Sequence, residues 1–189
     1  MLEYITHIDQ IIFHAINHGL KDNIFDQLLP LWRNQWTWIP LYVLLLFLAY
    51  QKYTKDVYKI VLLLAFSVLL TDQLSSQVIK KSVCRLRPCN DIKLLPAAEN
   101  IIPCGTGFSF PSSHAANHTC VAILFGTLLF QHRKWLKTSL LLWAISIGFA
   151  QIYVGVHYPI DVVCGVLLGL STSYFCLYLA RILKIYTTI

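Results

Sequence analysis

The chain has 189 residues, of which 57% are hydrophobic and only 13% charged, with a mean hydropathy of +0.60. That balance excludes an ordinary water-soluble domain, while the length suits one domain with a full core. The net charge of +6 does not point to nucleic acid. Its cations fall in separate clusters at the edges of apolar runs, with no basic stripe and no recognised nucleic-acid motif.

From the N-terminus, Ile5, Ile8, Ile11, Ile12, Ala15 and Ile16 recur at helical spacing, with Asp9, Gln10, His14 and Asn17 on the other side. This pattern predicts an amphipathic helix lying in the membrane interface. It is not a signal peptide, since it lacks a basic start and Glu3 and Asp9 interrupt it. Residues 19–23 read as a turn before a short helix at 26–32. Apolar runs follow near residues 36–50, 57–79, 114–130, 136–156 and 158–183. Each approaches the roughly 20 residues that a bilayer span requires. The expected fold is all-α: a polytopic membrane helical bundle of about five spans plus the N-terminal amphipathic segment. Residues 1–35 form the interfacial part and 36–189 the bundle of a single integral-membrane domain. No internal repeat or low-complexity linker divides it.

Lys52, Lys55 and Lys59 separate the first two spans, Arg133, Lys134 and Lys137 the third and fourth, and Arg181 and Lys184 follow the fifth. Five antiparallel spans put these clusters on one side, which the positive-inside bias makes cytoplasmic. The connection after the second span is equally basic, with Lys80, Lys81, Arg85, Arg87 and Lys93, and it faces the other side. Its cations are assigned to a substrate instead. The expected location is a bacterial inner membrane with a periplasmic site. Lipid bilayer and anionic headgroups are the expected partners. Of six cysteines, Cys89 and Cys104 share that external loop. They are either bridged, as an oxidising periplasm allows, or small reduced residues.

Three stretches at span ends carry chemistry. The first is K-K-S-V-C-R-L-R-P at 80–88, the second P-S-S-H at 111–114, and the third Q-I-Y-V-G-V-H-Y-P-I-D at 151–161. Lys80 brings a compact charge and Arg87 a planar fork that matches phosphate oxygens. Pro88 disfavours helical geometry at Arg87 and puts it on a bend. Ser112 or Ser113 caps the next helix, whose free amides also favour an anion. His114, at the start of that helix, suits a general acid. His157 suits a nucleophile, with Asp161 fixing its tautomer and balancing developing charge. Lys81 and Arg85 either snorkel or take part. His118 lies one turn after His114, but no Glu follows His114 as a zinc motif of the H-E-x-x-H kind requires. No metal and no cofactor is expected. Asp72, two turns before Lys80, is read as an interhelix contact.

K-x6-R-P, P-S-x-H and the closing H-x3-D resemble, in order and spacing, the type-2 phosphatidic acid phosphatase superfamily. The resemblance spans Lys80 to Asp161 and implies metal-independent dephosphorylation of lipid phosphates through a phosphohistidine. It implies His157 as nucleophile, His114 as acid and Asp161 as its partner, with Lys80, Arg87, Ser112 and Ser113 as phosphate ligands. Soluble haloperoxidases that share the motifs are larger and do not suit so apolar a chain. One position departs from the pattern. The family's third motif begins with an arginine six residues before its histidine, and here that residue is Gln151. Gln151 still donates hydrogen bonds but carries no charge, so either Arg85, Lys81 or His118 compensates, or the substrate carries its own balancing groups, or the site is weakened. If that missing charge limits the site, Gln151→Arg should tighten phosphate binding. Undecaprenyl diphosphate, phosphatidylglycerophosphate and a lipid A phosphate are the expected substrates, with Lys81 and Arg85 available for a second phosphate. A non-catalytic lipid-phosphate binding or transport protein on the same bundle is the alternative.

Overall fold

The apolar runs fold as helices, and capping side chains and prolines set where each begins. The computed structural model describes residues 2–185, and no strand occurs among them. Residues 1 and 186–189, the far end of the expected bundle included, lie outside the described residues. Helix α1 covers Leu2–Asn17. Its Ile5, Ile8, Ile11 and Ile12 are exposed, as an interfacial face requires, while Asp9, Phe13 and Asn17 are buried against the protein at one-turn intervals. The side that reads as polar is therefore the protein-facing side. Helix α2, Asn23–Trp32, starts earlier than residue 26 because Asp22 caps it, accepting from the Ile24 amide at 2.8 Å. Both α1 and α2 pack on α7 (Lys134–Tyr153).

Asn34 caps a 3-10 turn at Gln35–Trp38, which leads into α3, Ile39–Tyr53. Helix α4, Val57–Gln73, packs back against α3 and continues through a π stretch, Leu74–Ile79, into the short α5, Lys80–Val83. Helix α6, Ser113–Leu129, is the centre of the bundle and meets α3, α4, α7 and α8 (Pro159–Ile182). It approaches α8 most closely because Gly165 lacks a side chain. A Cβ there would stand 2.5 Å from the Ser112 carbonyl oxygen.

Among the described residues, three stretches are long and apolar enough to cross a membrane: Gln35–Asn90, Lys134–Tyr153 and Pro159–Ile182. Their outward faces, such as Leu62, Phe66, Leu69, Leu167 and Tyr178, are exposed and apolar, as lipid contact requires. The connection from Cys84 to Ser112 is pinned at several points. Cys89 and Cys104 are joined by a disulfide. The Cys89 amide donates to the Gly155 carbonyl at 3.1 Å, and the Ser112 amide donates to the Asp161 carbonyl at 2.8 Å. Gly155 sits at φ +86°, and a Cβ would meet the Glu99 carbonyl at 2.8 Å, so both conformation and space require glycine.

Candidate active site

The ends of α2, α5, α6 and α7 and the turn before α8 enclose a cavity of about 410 Å³. Lys80, Arg87, Ser113, His114, Gln151 and His157 all line it. The three motifs, scattered over residues 80–161, therefore meet in one place. Lys80 reaches it from the end of the π stretch, where its amide donates to the Ser75 carbonyl. That wider turn shifts the register of the residues that follow, as π segments at functional sites commonly do. Ser75 and Ser76 flank the same turn and hydrogen-bond Ser113 Oγ at 3.0 and 3.1 Å. Arg87 has extended backbone, φ −73° and ψ 149°, immediately before Pro88. The pre-proline restriction supplies that bend.

Ser112 and Asp161 stand behind the cavity wall and do not line it. The Ser112 hydroxyl caps α6 by accepting from the Ala115 amide at 3.3 Å, which leaves Ser113 as the serine facing the cavity. Asp161 is fully buried at the third position of α8. Its Oδ2 accepts from the Tyr158 amide at 2.8 Å and lies 3.6 Å from His157 Nδ1. That separation is beyond hydrogen-bond length, and Nδ1 is without a partner. Asp161 thus acts on the ring through its charge in this state. Burial pushes the His157 imidazole down to about 4, and the opposing pull of Asp161 is weaker. The ring is neutral near pH 7, as a nucleophile must be.

Arg85 does not hold phosphate. Its Nη1 donates to Asp161 Oδ1 at 2.7 Å, its Nη2 to Asp9 Oδ2 at 2.6 Å, and its guanidinium lies 4.1 Å from the Tyr158 ring centroid. Two buried carboxylates hold it behind the cavity, which it does not line. Lys81 is exposed and outside the cavity. Neither compensates for Gln151, and the pair supplies no second phosphate pocket. His118 lines the cavity with its Nδ1 at 2.8 Å from the His114 carbonyl oxygen. Asp72 accepts from Asn117 Nδ2 at 3.0 Å, an interhelix contact at the cavity edge.

Two residues here escape motif reading. Asp9 anchors α1 to the site, with Oδ1 accepting from the Ile160 amide at 2.8 Å. A carboxylate on an otherwise isoleucine-rich turn was its one signal. Arg33 lines the cavity and donates from Nε to Gln151 Oε1 at 3.1 Å. Its signal was isolation: no other Lys or Arg falls between Lys21 and Lys52.

A cavity of this kind can hold a phosphate and pass it to an imidazole. Next to it lies an apolar cavity of about 480 Å³ between α3, α4 and α6, which shares Gln35, Asn117 and His118 with it. Polar and apolar chambers side by side suit a membrane protein that takes an amphipathic phosphate ester. The PAP2 superfamily model matches residues 57–184, and the chain belongs to that family. It is 30% identical over 172 residues to a lipid A 4'-phosphatase of Bacteroides thetaiotaomicron, covering 89% of this chain and 75% of that protein. It is 32% identical over 140 residues to an undecaprenyl-diphosphatase of Sulfolobus acidocaldarius, covering 74% and 62%. The crystal structure of Aquifex aeolicus LpxE superposes with a TM-score of 0.64 at 25% identity, covering 88% of this chain and 93% of that one. The protein is thus a phosphatase of membrane lipid phosphates, in a family that works through a phosphohistidine.

Proposed function

We propose that the enzyme removes a single phosphate from a glycolipid of the lipid A type, with His157 as nucleophile. The observation that carries this reading is the shared wall of the two cavities, which lets a headgroup phosphate meet His157 while hydrocarbon stays among α3, α4 and α6. Two relatives matched over 89% and 92% of the chain, from Bacteroides thetaiotaomicron and Porphyromonas gingivalis, are lipid A 4'-phosphatases, while the undecaprenyl-diphosphatase matches over 74%. Engagement of Arg85 by Asp9 and Asp161 removes a cation that a diphosphate would use, which favours a monoester.

In the first step the His157 imidazole attacks phosphorus, the ester P–O bond breaks, and His114 gives its proton to the departing sugar oxygen. Lys80 and Arg87 balance the charge on the nonbridging oxygens, and the Ser113 hydroxyl donates a hydrogen bond to one of them. Asp161 balances the positive charge that appears on His157 once it is phosphorylated. In the second step His114, now neutral, takes a proton from water as the water oxygen attacks phosphorus; the P–N bond breaks, inorganic phosphate leaves, and His157 returns neutral.

The topology we propose has five spans, with α3 and α4 as the two antiparallel crossings inside residues 35–90 and α6 as the third. The catalytic end then faces an oxidising periplasm of a bacterial inner membrane, which suits the Cys89–Cys104 bridge. The test is phosphate release by the detergent-purified enzyme from lipid A, undecaprenyl diphosphate and phosphatidylglycerophosphate, with His157→Ala as control. Release from lipid A that His157→Ala abolishes is the expected result. Release from the diphosphate alone would overturn the monoester reading, and lipid retained without release would favour a binding protein.

A further inference from the structure

The cavity holds a charge arrangement that the three motifs do not account for. Arg33 lies just after α2, outside the matched residues 57–184, yet it shares the cavity with Lys80, Arg87 and His157. Among the described residues no carboxylate pairs with any of these three cations. Burial, and then the charge of Arg87, push the Arg33 guanidinium below its ordinary value. Three cations without a direct ion pair, with Asp72 at the cavity edge as the one lining carboxylate, suit a place where an anion visits. Gln151 adds a second, independent sign. Its side chain is fully buried, its Oε1 accepts from Arg33 Nε at 3.1 Å, and its Nε2 has no partner. A buried donor left unused at the wall of a cation-lined cavity is costly until a ligand oxygen accepts from it.

We propose that Arg33 and Gln151 form one phosphate-binding unit, in which Arg33 supplies the charge and Gln151 orients it and donates through Nε2 to a nonbridging oxygen. The inference rests on the lipid-phosphatase reading above and deepens it. It makes the segment after α2 part of the substrate site. It also reverses the sign expected for Gln151→Arg. A guanidinium at 151 would face that of Arg33 in place of an acceptor, so this single variant should weaken phosphate binding.

The experiment is a reciprocal exchange in the full-length protein, read by release of phosphate from lipid A and by inhibition with orthovanadate as a phosphate mimic. Arg33→Gln should lower kcat/KM and vanadate affinity by about ten- to a hundredfold, the scale of one charge-assisted contact. Gln151→Arg should also lower both. The double variant R33Q/Q151R, which swaps charge and acceptor across the same contact, should recover most of the loss. Wild-type values for Arg33→Gln, or a double variant no better than either single one, would overturn the unit. If Arg33→Gln fails to fold, Arg33→Lys keeps the charge without the Nε contact and should show an intermediate loss; wild-type vanadate affinity there would also overturn it. Wild-type protein that releases phosphate from no lipid but binds vanadate through Arg33 would sink the substrate reading alone.

Discussion

His157 is 2% exposed, and burial holds its imidazole near 4 although Asp161 acts to raise it. Above its unfolded value of about 6.5 both states are neutral, and the group is indifferent to pH. Between there and about 4 the unfolded chain binds a proton that the folded one refuses. Stability from this group is therefore fully present above pH 6.5 and is lost as pH falls through that window. At 1.36 kcal/mol per unit the loss is on the order of 3 kcal/mol. His157→Gln, which cannot titrate, should flatten the acid slope of the thermal midpoint in detergent between pH 6.5 and 4. An unchanged slope would show that the ring is not held neutral by burial. Asp161 contributes from its own fixed position. Arg85 and the Tyr158 amide hold its two oxygens, so it cannot swing, and any tightening toward His157 must come from the ring. The chain places a carboxylate four residues after a histidine, which is legible as a pair. That the carboxylate answers first to Arg85 and Asp9, from two other elements, is a long-range fact with no local trace.

The element that sets the distance between the motifs is the α6–α8 contact. Ser112 and Ala116 present carbonyls to Gly165 and Gly169, and His114 sits between them on α6 while Asp161 precedes Gly165 by one turn on α8. Gly165→Ala puts a methyl where only 2.5 Å separates it from the Ser112 oxygen. The helices must part, at a cost of about 1–3 kcal/mol for overpacking. Phosphate release should fall with the thermal midpoint, since His114 moves away from His157, while Val163→Ala on the exposed face of α8 should leave both as they are. Wild-type turnover in Gly165→Ala would mean that helix spacing does not position the acid. The helices themselves were legible, because apolar runs bounded by proline, glycine and capping hydroxyls specify them locally. The start of α2 at Asn23 was within reach too, since Asp22 is an N-cap residue. The π stretch at Leu74–Ile79 was not, because L-S-S-Q-V-I suits an α-helix equally well. Its hydroxyls meet Ser113, 37 and 38 residues away, and that pairing leaves no mark on the local sequence.

Charge divides the molecule along its length. Lys52 and Tyr53 both donate to the Leu128 carbonyl at 2.8 Å, which joins the ends of α3 and α6 at the pole away from the cavity. Lys59 lies beside Ala180 and Leu183 in the same region. Those cations face no catalytic group and suit a cytoplasmic leaflet, whereas the cations at the other pole converge on the substrate site. Clusters of lysine and arginine are legible as groups, but which of them reach the cavity needed the fold: Arg85 is held by Asp9 and Asp161 behind it, and Arg33, outside every motif, lines it. At the cavity pole the connection from Cys84 to Ser112 carries only a 3-10 turn at Pro88–Asn90, so the disulfide is one of the few ties that hold its wall. Arg87 lies two residues before Cys89, and Pro103 and Gly105, which flank Cys104, also line the cavity. Closing a loop of this length is worth about 3 kcal/mol by the chain-entropy estimate. Reduction with a phosphine, verified by counting free thiols, should lower the thermal midpoint and raise KM more than it lowers kcat, because the bridge positions Arg87, the proposed phosphate ligand, and not the proposed catalytic histidines. Cys89→Ser with Cys104→Ser should reproduce both effects without reductant. If KM stays constant while the midpoint falls, the bridge supports the loop but does not shape the cavity, and Arg87 is held instead by Pro88, the Cys89–Gly155 backbone bond and its own donation to the Gly107 carbonyl.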